Sequence, residues 1–235
     1  MIARVAQDDH ADAPYWMGAE ERERWATLRP ANRAAFVASR RLLRDTLAAA
    51  TGLSADGWLV SAEAGIAPVA RRIGLARDAA PPVSIAHGLG WVAVAVGPVG
   101  GGAIGVDIEC GDFAPADLAE RAALVMSGDE LARWHALDAA ERAPTLMRAW
   151  VARESWFKAA GAGAPWDFRQ LDCAACAPPE ANVRSWEVDD LRVALSARDA
   201  AALAAASCEG WPEPEGVAAS WWCVRALERN SAPTD

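Results

Sequence analysis

Lysine occurs once in this chain, and its neighbours are of types that take part in metal-assisted chemistry. Lys158 is the only lysine among 23 lysine and arginine residues. It follows Glu154 by one helical turn. Arginine supplies a permanent charge, whereas the compact ammonium of lysine can position or release a proton. The otherwise uniform use of arginine therefore predicts a special role for Lys158.

Two carboxylates lie upstream at the spacing of a β-strand. Asp107 and Glu109 alternate with apolar residues in the run Gly105-Val106-Asp107-Ile108-Glu109. Alternate residues of a strand face the same way, so both carboxylates are expected on one face, with Val106 and Ile108 facing the core. This pair suits Mg²⁺, a hard cation that combines carboxylates with water and phosphate oxygens. The pentapeptide alone also fits a solvated edge of an amphipathic strand.

A helix is predicted to carry the lysine. Pro144 is expected in its first turn and Ala160 at its end. Trp150, Glu154 and Lys158 would share one face, because they are spaced by four residues. The neighbouring face is expected to bury, with Ala149, Ala152, Trp156 and Ala159. An ordinary glutamate–lysine helix pair is the alternative interpretation.

Other residues could bind phosphate. His87 ends a predicted strand just before Gly88, where its ring N–H groups and nearby glycine amides could meet an anion. Arg40, Arg41 and Arg44 would present forked, permanently charged groups from one helix. The alternatives are a structural histidine and a solvated helix face.

The order of elements predicts an α+β protein with helices followed by strands in each half. No sequence repeat is strong enough to establish a duplication. Helices are expected from Ala19 until Pro30, from a cap at Asn32 to about Ala50 and a stop at Gly52, and over 115–125, 128–135 and 144–160. Strands are expected over 58–60, 66–69, 83–87, 91–96, 103–109, 184–188, 192–195 and 220–227.

The bulk composition limits the class of function. With 235 residues the chain can bury a full core, and a net charge of −9 argues against a general nucleic-acid binder. The uncharged run from Trp91 to Val106 is interrupted by glycines and Pro98, so it predicts two strands joined by a turn, and no membrane span. The N-terminus is acidic where a signal peptide would be apolar. These features favour a cytoplasmic protein.

The pattern of cysteines and the absence of several known catalytic motifs limit the types of reaction that the protein could catalyse. Five scattered cysteines do not form a disulfide framework, and Cys173-Ala-Ala-Cys176 lacks the second pair that a zinc site needs. There is no Gly-x-Ser-x-Gly, no Walker loop and no Gly-x-Gly-x-x-Gly opening a helix after a strand. Metal-assisted transfer is therefore favoured over covalent catalysis.

In this order and spacing, the segments resemble the 4′-phosphopantetheinyl transferase superfamily. The likeness is to its single-chain, two-lobed type, which activates carrier proteins of peptide and polyketide synthases. Its signature pair is Gly105–Glu109 followed by Trp150-x-x-Arg153-Glu154-Ser155-x-x-Lys158. The segment Ser127–Glu130 resembles a further family element. The likeness covers about 33–158 and continues more weakly through 161–168.

The resemblance implies two pseudo-symmetric α+β lobes with coenzyme A in the cleft between them. Residues 1–102 would form the N-terminal lobe, 103–228 the C-terminal lobe, and 229–235 a flexible tail. Mg²⁺, with Mn²⁺ as an alternative, would be held by Asp107, Glu109 and Glu154.

The resemblance also implies the roles of single residues. Lys158 would contact the phosphates and stabilise the departing 3′,5′-ADP, and His87 with its neighbours Ala86 and Gly88 would bind the phosphate end. Arg40, helped by Arg33 and Arg44, would hold the 3′-phosphate. A serine of an apo acyl- or peptidyl-carrier protein would then attack the β-phosphate, with Glu154 or water on the ion as base. The partners would be the carrier and coenzyme A, without nucleic acid or membrane, and the protein would be a monomer.

The sequence departs from the family pattern at several positions, and two alternative functions stay open. Ala86 and Gly88 replace hydroxyl-bearing residues, Arg153 replaces a lysine, and Ala162 replaces a second lysine. The alternatives are a coenzyme A- or carrier-binding protein without catalysis, and another Mg²⁺-dependent phosphoester enzyme. The expected carrier-docking surface is Arg121, Leu124, Val125 and Met126, by similarity.

Overall fold

The computed structural model describes residues 1–5, 12–72, 74, 80–111, 113–161, 167–206 and 219–227. Its helices are α1 (Ala19–Thr27), α2 (Pro30–Thr51), α3 (Leu118–Val125), α4 (Gly128–His135), α5 (Ala139–Ala160) and α6 (Ala200–Ala204). Its strands are β1 (Ile2–Arg4), β2 (Trp58–Val60), β3 (Ala70–Arg72), β4 (Val83–Gly88), β5 (Trp91–Val96), β6 (Ile104–Cys110), β7 (Leu171–Ala175), β8 (Val183–Val188), β9 (Leu191–Ala197) and β10 (Ser220–Ala226). The expected α+β class is confirmed at this level.

Within these described ranges the strands form three antiparallel sheets. The orders are β1-β5-β4, β6-β9-β8-β10-β7 and β2-β3. The edge strands β4 and β6 lie side by side, where the Val106 amide donates to the Ser84 hydroxyl at 3.0 Å. The end of the first sheet that carries His87 therefore lies beside the strand that carries Asp107.

The two halves of the chain repeat an order of elements. In each half a first strand is followed by helices, α1 and α2 in the first half and α3, α4 and α5 in the second. A β-hairpin comes later in each half, and the strand orders are β1-β5-β4 and β6-β9-β8. The helices α2 and α5 each have 22 residues, and each ends at a glycine of positive φ, Gly52 or Gly161.

A buried ion pair makes this repeat visible in the side chains. In the first half Glu21 accepts hydrogen bonds from Arg44, and in the second half Glu130 accepts one from Arg153. The two partners are 23 residues apart in both pairs. The offset between the halves is 109 residues, from 21 to 130 and from 44 to 153. The repeat is therefore carried by helix packing, although the sequence alone did not establish it.

The predicted helix boundaries are partly right. Ser127 caps α4 and forms a capping box with Glu130, as expected, and Gly52 ends α2. The predicted cap at Asn32 is wrong, because Pro30 occupies the first turn of α2. The start predicted for α5 is also wrong. The helix begins at Ala139 after Asp138, so Pro144 lies inside it.

Several strand predictions need correction. The strand expected over 66–69 lies instead at β3, and β1 and β7 were not predicted at all. The two strands that flank the glycine-rich run do not form a hairpin. The reason is that β5 already has β1 on one side and β4 on the other, so it offers no free edge to β6.

Close packing of β6 on α5 positions the central residues. A Cβ on Gly105 would overlap the Ser155 carbonyl oxygen and lie 2.6 Å from the Ala159 amide nitrogen. Glycine therefore permits the strand and helix backbones to approach closely. None of the helices in the described ranges has the length and apolar character that crossing a bilayer requires.

Candidate active site

The lysine and the first carboxylate form an ion pair. The Lys158 Nζ donates to Asp107 Oδ1 at 2.7 Å. The Asp107 side chain is only 8% exposed, and its second oxygen, Oδ2, is buried without a hydrogen-bond partner. A buried carboxylate oxygen without a donor is costly, so this atom is open to a further positive or hydrogen-bonding group.

The elements explain why these groups meet. Val106 and Ile108 are 4% and 1% exposed and belong to the core, so strand alternation turns Asp107 to the other face, as predicted. On α5 the small residues Ala149, Ala152 and Ala159 are buried, also as predicted, whereas Trp156 is only partly buried. The close approach at Gly105 then brings the face of Lys158 over β6.

Two glutamates complete the acidic cluster. Burial raises the pKa of Glu154, the charge of Asp107 raises it further, and Lys158 opposes both effects. Burial and the Asp107 charge also raise the pKa of Glu109, while a hydrogen bond from Trp150 lowers it. The three carboxylates therefore repel one another across a partly dry site, which is the electrostatic condition that a cation relieves.

The donors fit a hard cation chemically, but they are not arranged around one position. Among the described residues, no group of three or more His, Cys, Asp or Glu side chains is placed to hold a metal ion. The unpartnered Asp107 Oδ2 and the raised pKa values of Glu109 and Glu154 match an all-oxygen Mg²⁺ site. The predicted ligand set remains a prediction.

His87 lies at the end of β4, on the same site. Desolvation lowers the pKa of His87, the charge of Lys158 lowers it further, and Asp107 opposes them. The ring is therefore held neutral by its surroundings, with one N–H to donate. This places the histidine within electrostatic reach of both members of the ion pair.

The neighbours of His87 contribute differently from the hydroxyl-bearing residues of the family pattern. Ala86 is 3% exposed and packs in the core with Ile2 and Ala93, so its side chain does not face the site. A Cβ on Gly88 would lie 2.7 Å from the Ile108 carbonyl oxygen and 3.4 Å from Glu109 Oε2. Residue 88 must be glycine in this packing, because a serine side chain would collide with β6.

The predicted phosphate-binding arginines have different surroundings. Arg44 is buried, and its two terminal nitrogens bind Glu21 at 3.0 and 2.5 Å, so its geometry favours a structural role over the predicted ligand contact. Burial lowers the pKa of Arg40 to about 10, and its Nε and Nη1 have no hydrogen-bond partner. Arg33 stacks on Trp25 at 4.1 Å, with Nε unpartnered. Arg33 and Arg40 therefore still have donors for an anion.

Arg153, which replaces a lysine of the family pattern, makes buried contacts away from the carboxylates. It is completely buried, and it binds Glu130 and the Leu171 carbonyl oxygen. Glu130 also accepts from the amides of Ser127 and Cys173, both at 2.8 Å. The arginine thus ties α4, α5 and β7 together, and it does not share the site of Lys158.

Sequence reasoning missed the contact between Trp150 and Glu109. The signal was present in the helix spacing, since Trp150 shares a face with Glu154. Trp150 also packs edge-on against Phe113 at 5.8 Å and Phe168 at 5.2 Å. This aromatic group borders the carboxylates on the α5 side.

The expected docking surface is only partly accessible, and some of the predicted residues lie outside the described ranges. Val125 and Met126 are 1% and 4% exposed, so of the expected docking surface only Arg121 and Leu124 are accessible. Ala162, which replaces a family lysine, lies outside the described residues, as do Cys208 and the predicted tail over 229–235.

These features define a class of protein: an α+β fold in which a lysine and a histidine meet three carboxylates, suited to chemistry on a phosphate group with a cation. Residues 103–206 match the family model of the 4′-phosphopantetheinyl transferase superfamily. The matched range contains Asp107, Glu109, Glu154 and Lys158. No curated protein matches the chain at a significant level.

Proposed function

We propose that the protein transfers the 4′-phosphopantetheine group of coenzyme A to a serine of an apo acyl- or peptidyl-carrier protein, with release of 3′,5′-ADP. The observation that carries this proposal is the meeting of Lys158 with the buried Asp107 and the two glutamates inside the matched domain. A superfamily of transferases that act on coenzyme A and carrier proteins supplies the reaction class.

The roles follow from the surroundings of each group. Asp107, Glu109 and Glu154 would hold Mg²⁺, which supplies charge neutralisation to the pyrophosphate when bound. The Lys158 ammonium would donate to the oxygen on which charge develops as the phosphoanhydride bond breaks. His87, kept neutral by its surroundings, would donate one N–H to a phosphate oxygen.

The proton of the acceptor serine needs a base. Glu154 suits this role, because burial and the Asp107 charge raise its pKa toward the working range of an enzyme. The serine oxygen would form the new bond to the β-phosphorus while the bond to the bridging oxygen breaks and 3′,5′-ADP leaves. The serine proton would pass to the Glu154 carboxylate.

Coenzyme A would extend from this site toward the first half of the chain. Arg40 and Arg33 have unpartnered nitrogens that would suit its 3′-phosphate. The repeated order of elements supports a two-lobed arrangement with the cofactor between the lobes, since β4 of the first sheet lies beside β6 of the second.

Intact mass spectrometry of an apo carrier protein tests the proposal. The carrier would be incubated with the protein, coenzyme A and Mg²⁺, and a gain of one phosphopantetheine is expected. Glu154→Ala should abolish the gain. The matched control is Asp45→Ala, because Asp45 is the exposed carboxylate at the position of α2 that corresponds to Glu154 on α5. Among the ion pairs of the described residues, Asp45 takes part only in the pair with Arg41.

The outcomes separate the candidate functions. No gain with either acyl- or peptidyl-carrier proteins, while coenzyme A still binds, would indicate a binding protein without catalysis. Hydrolysis of coenzyme A without modification of the carrier would indicate another phosphoester enzyme. Transfer that survives Glu154→Ala would refute the assigned roles.

A further inference from the structure

The tight turn that follows His87 contains a residue of the wrong type for its backbone. Gly88 pairs with Trp91, so Leu89 and Gly90 form a two-residue hairpin loop. Both have positive φ, 31° at Leu89 and 85° at Gly90. Hairpin turns of this kind favour asparagine, aspartate or glycine at both positions. Gly90 meets this preference, whereas a leucine with positive φ is strained.

The second half of the chain contains a matched comparison. In the β8–β9 hairpin Val188 pairs with Leu191, and the loop begins with Asp189 at a φ of 52°. Aspartate is one of the residues that tolerate this conformation. This hairpin therefore has, at its first loop position, a residue that suits a positive φ.

Nothing inside the described part of the protein compensates the strain at Leu89. Its side chain is 79% exposed, and it belongs to none of the core clusters that the described residues form. An exposed leucine by itself is ordinary. The feature that needs an explanation is the positive φ of this leucine, because such strained conformations cluster at functional sites.

The position of the turn indicates the function for which the strained leucine is retained. Leu89 follows Gly88 directly, and the Cβ position of Gly88 is 3.4 Å from Glu109 Oε2. The leucine therefore lies at the rim of the candidate site, next to His87. An acceptor protein that brings a serine to the carboxylates must approach this rim.

We propose that Leu89 is an apolar docking contact for the acceptor protein of the transfer reaction, which makes this inference rest on the proposed function. Coenzyme A is the weaker choice of ligand. The groups it would present near His87 and Lys158 are phosphates, and an exposed leucine side chain offers them no hydrogen bond. A protein surface, in contrast, would bury the side chain and recover the apolar contact that the isolated protein lacks.

Steady-state kinetics with separate variation of coenzyme A and apo carrier protein test this role. Leu89→Asn should raise the KM for the carrier about tenfold, the effect of losing one buried leucine contact. The KM for coenzyme A should not change. Leu89→Met keeps an apolar side chain and should keep the low carrier KM.

Thermal unfolding provides the second readout. Leu89→Asn should raise Tm by about 2–4 °C, because asparagine relieves the strain of a positive φ. The control is Asp189→Asn, which places asparagine at the first loop position of the other hairpin, where aspartate already suits a positive φ, and it should alter neither Tm nor the carrier KM.

Contrary results are distinguishable. An unchanged carrier KM in Leu89→Asn, or a rise confined to the KM for coenzyme A, would overturn the docking role while the wild-type transfer activity leaves the proposed function intact. Absence of transfer by the wild type would refute the proposed function and the docking role together.

Discussion

Replacing Glu130 by glutamine is expected to destabilise the protein through Arg153, without any direct change in the candidate site. Arg153 is completely buried, and Glu130 is its only carboxylate partner among the described residues. The Ser127 amide donates to Glu130 Oε2 and the Cys173 amide donates to Oε1, so glutamine, which has one side-chain oxygen, can keep only one of these two contacts. The variant therefore removes the compensating charge together with one amide contact.

The size of the effect follows from the burial. Breaking a buried pair by removing one partner costs about 3–5 kcal/mol, because it leaves an uncompensated buried charge. The carbonyl oxygens of Ala149 and Leu171, at 3.3 and 3.2 Å from Arg153, offset part of this. We expect a loss of about 3 kcal/mol in the free energy of unfolding and a fall in Tm of about 6–12 °C.

Urea unfolding followed by circular dichroism measures the loss. Adding Arg153→Met to Glu130→Gln should restore at least half of it, since the buried charge is then gone. Asp129→Asn is the control, because Asp129 is the exposed carboxylate next to Glu130 and its replacement should stay within about 0.5 kcal/mol.

The same variants decide between a structural and a ligand-binding role for Arg153. A loss below about 1 kcal/mol in Glu130→Gln would contradict the estimate from burial. Weakened coenzyme A binding in Arg153→Met without a change in unfolding would show that the arginine belongs to the ligand site. Calorimetric titration of the folded variants with coenzyme A provides that readout.

Three further results are expected. Gly105→Ala should cost about 3 kcal/mol or more in urea unfolding, because the new Cβ overlaps the α5 backbone; an unchanged midpoint would contradict the packing. In the metal-free protein, burial raises the pKa of Glu154, so the stability of the fold falls as pH rises through that pKa. Glu154→Gln should therefore raise Tm at pH 7.5 while it abolishes transfer. A Tm equal to or below that of the wild type would refute the expected direction of this effect. Arg40→Gln should abolish the preference for coenzyme A over its 3′-dephospho form in steady-state KM, whereas Arg41→Gln, an exposed change on the same helix, should preserve it.

Local patterns predicted the parts of the site that depend on one element. Strand alternation placed Asp107 opposite Val106 and Ile108, and the capping box placed the start of α4 at Ser127. Both patterns depend on residues within four positions of one another, so the sequence contains them completely. Their success shows why Lys158 could also be assigned to the correct face of its helix.

Long-range packing accounts for what the sequence did not predict. The neighbours of β6 are β9 and β4, and neither is close to it in the chain. The structural role of Arg153 was not predicted, because the sequence analysis noted this residue only as a replacement for a family lysine. Its helix phase contained a signal, since Arg153 is four residues after the buried Ala149 and so lies on the buried face of α5.

The repeated helices give a physical reason for the single lysine. The offset of 109 residues that relates Glu21 to Glu130 and Arg44 to Arg153 also relates Ala49 to Lys158 and Asp45 to Glu154. Both halves keep the buried arginine, which needs a permanent charge and a forked geometry to satisfy a glutamate and a carbonyl oxygen. At the lysine position the first half has only an exposed alanine. Packing therefore accounts for the arginine in each half, whereas lysine occurs only where a compact ammonium meets Asp107.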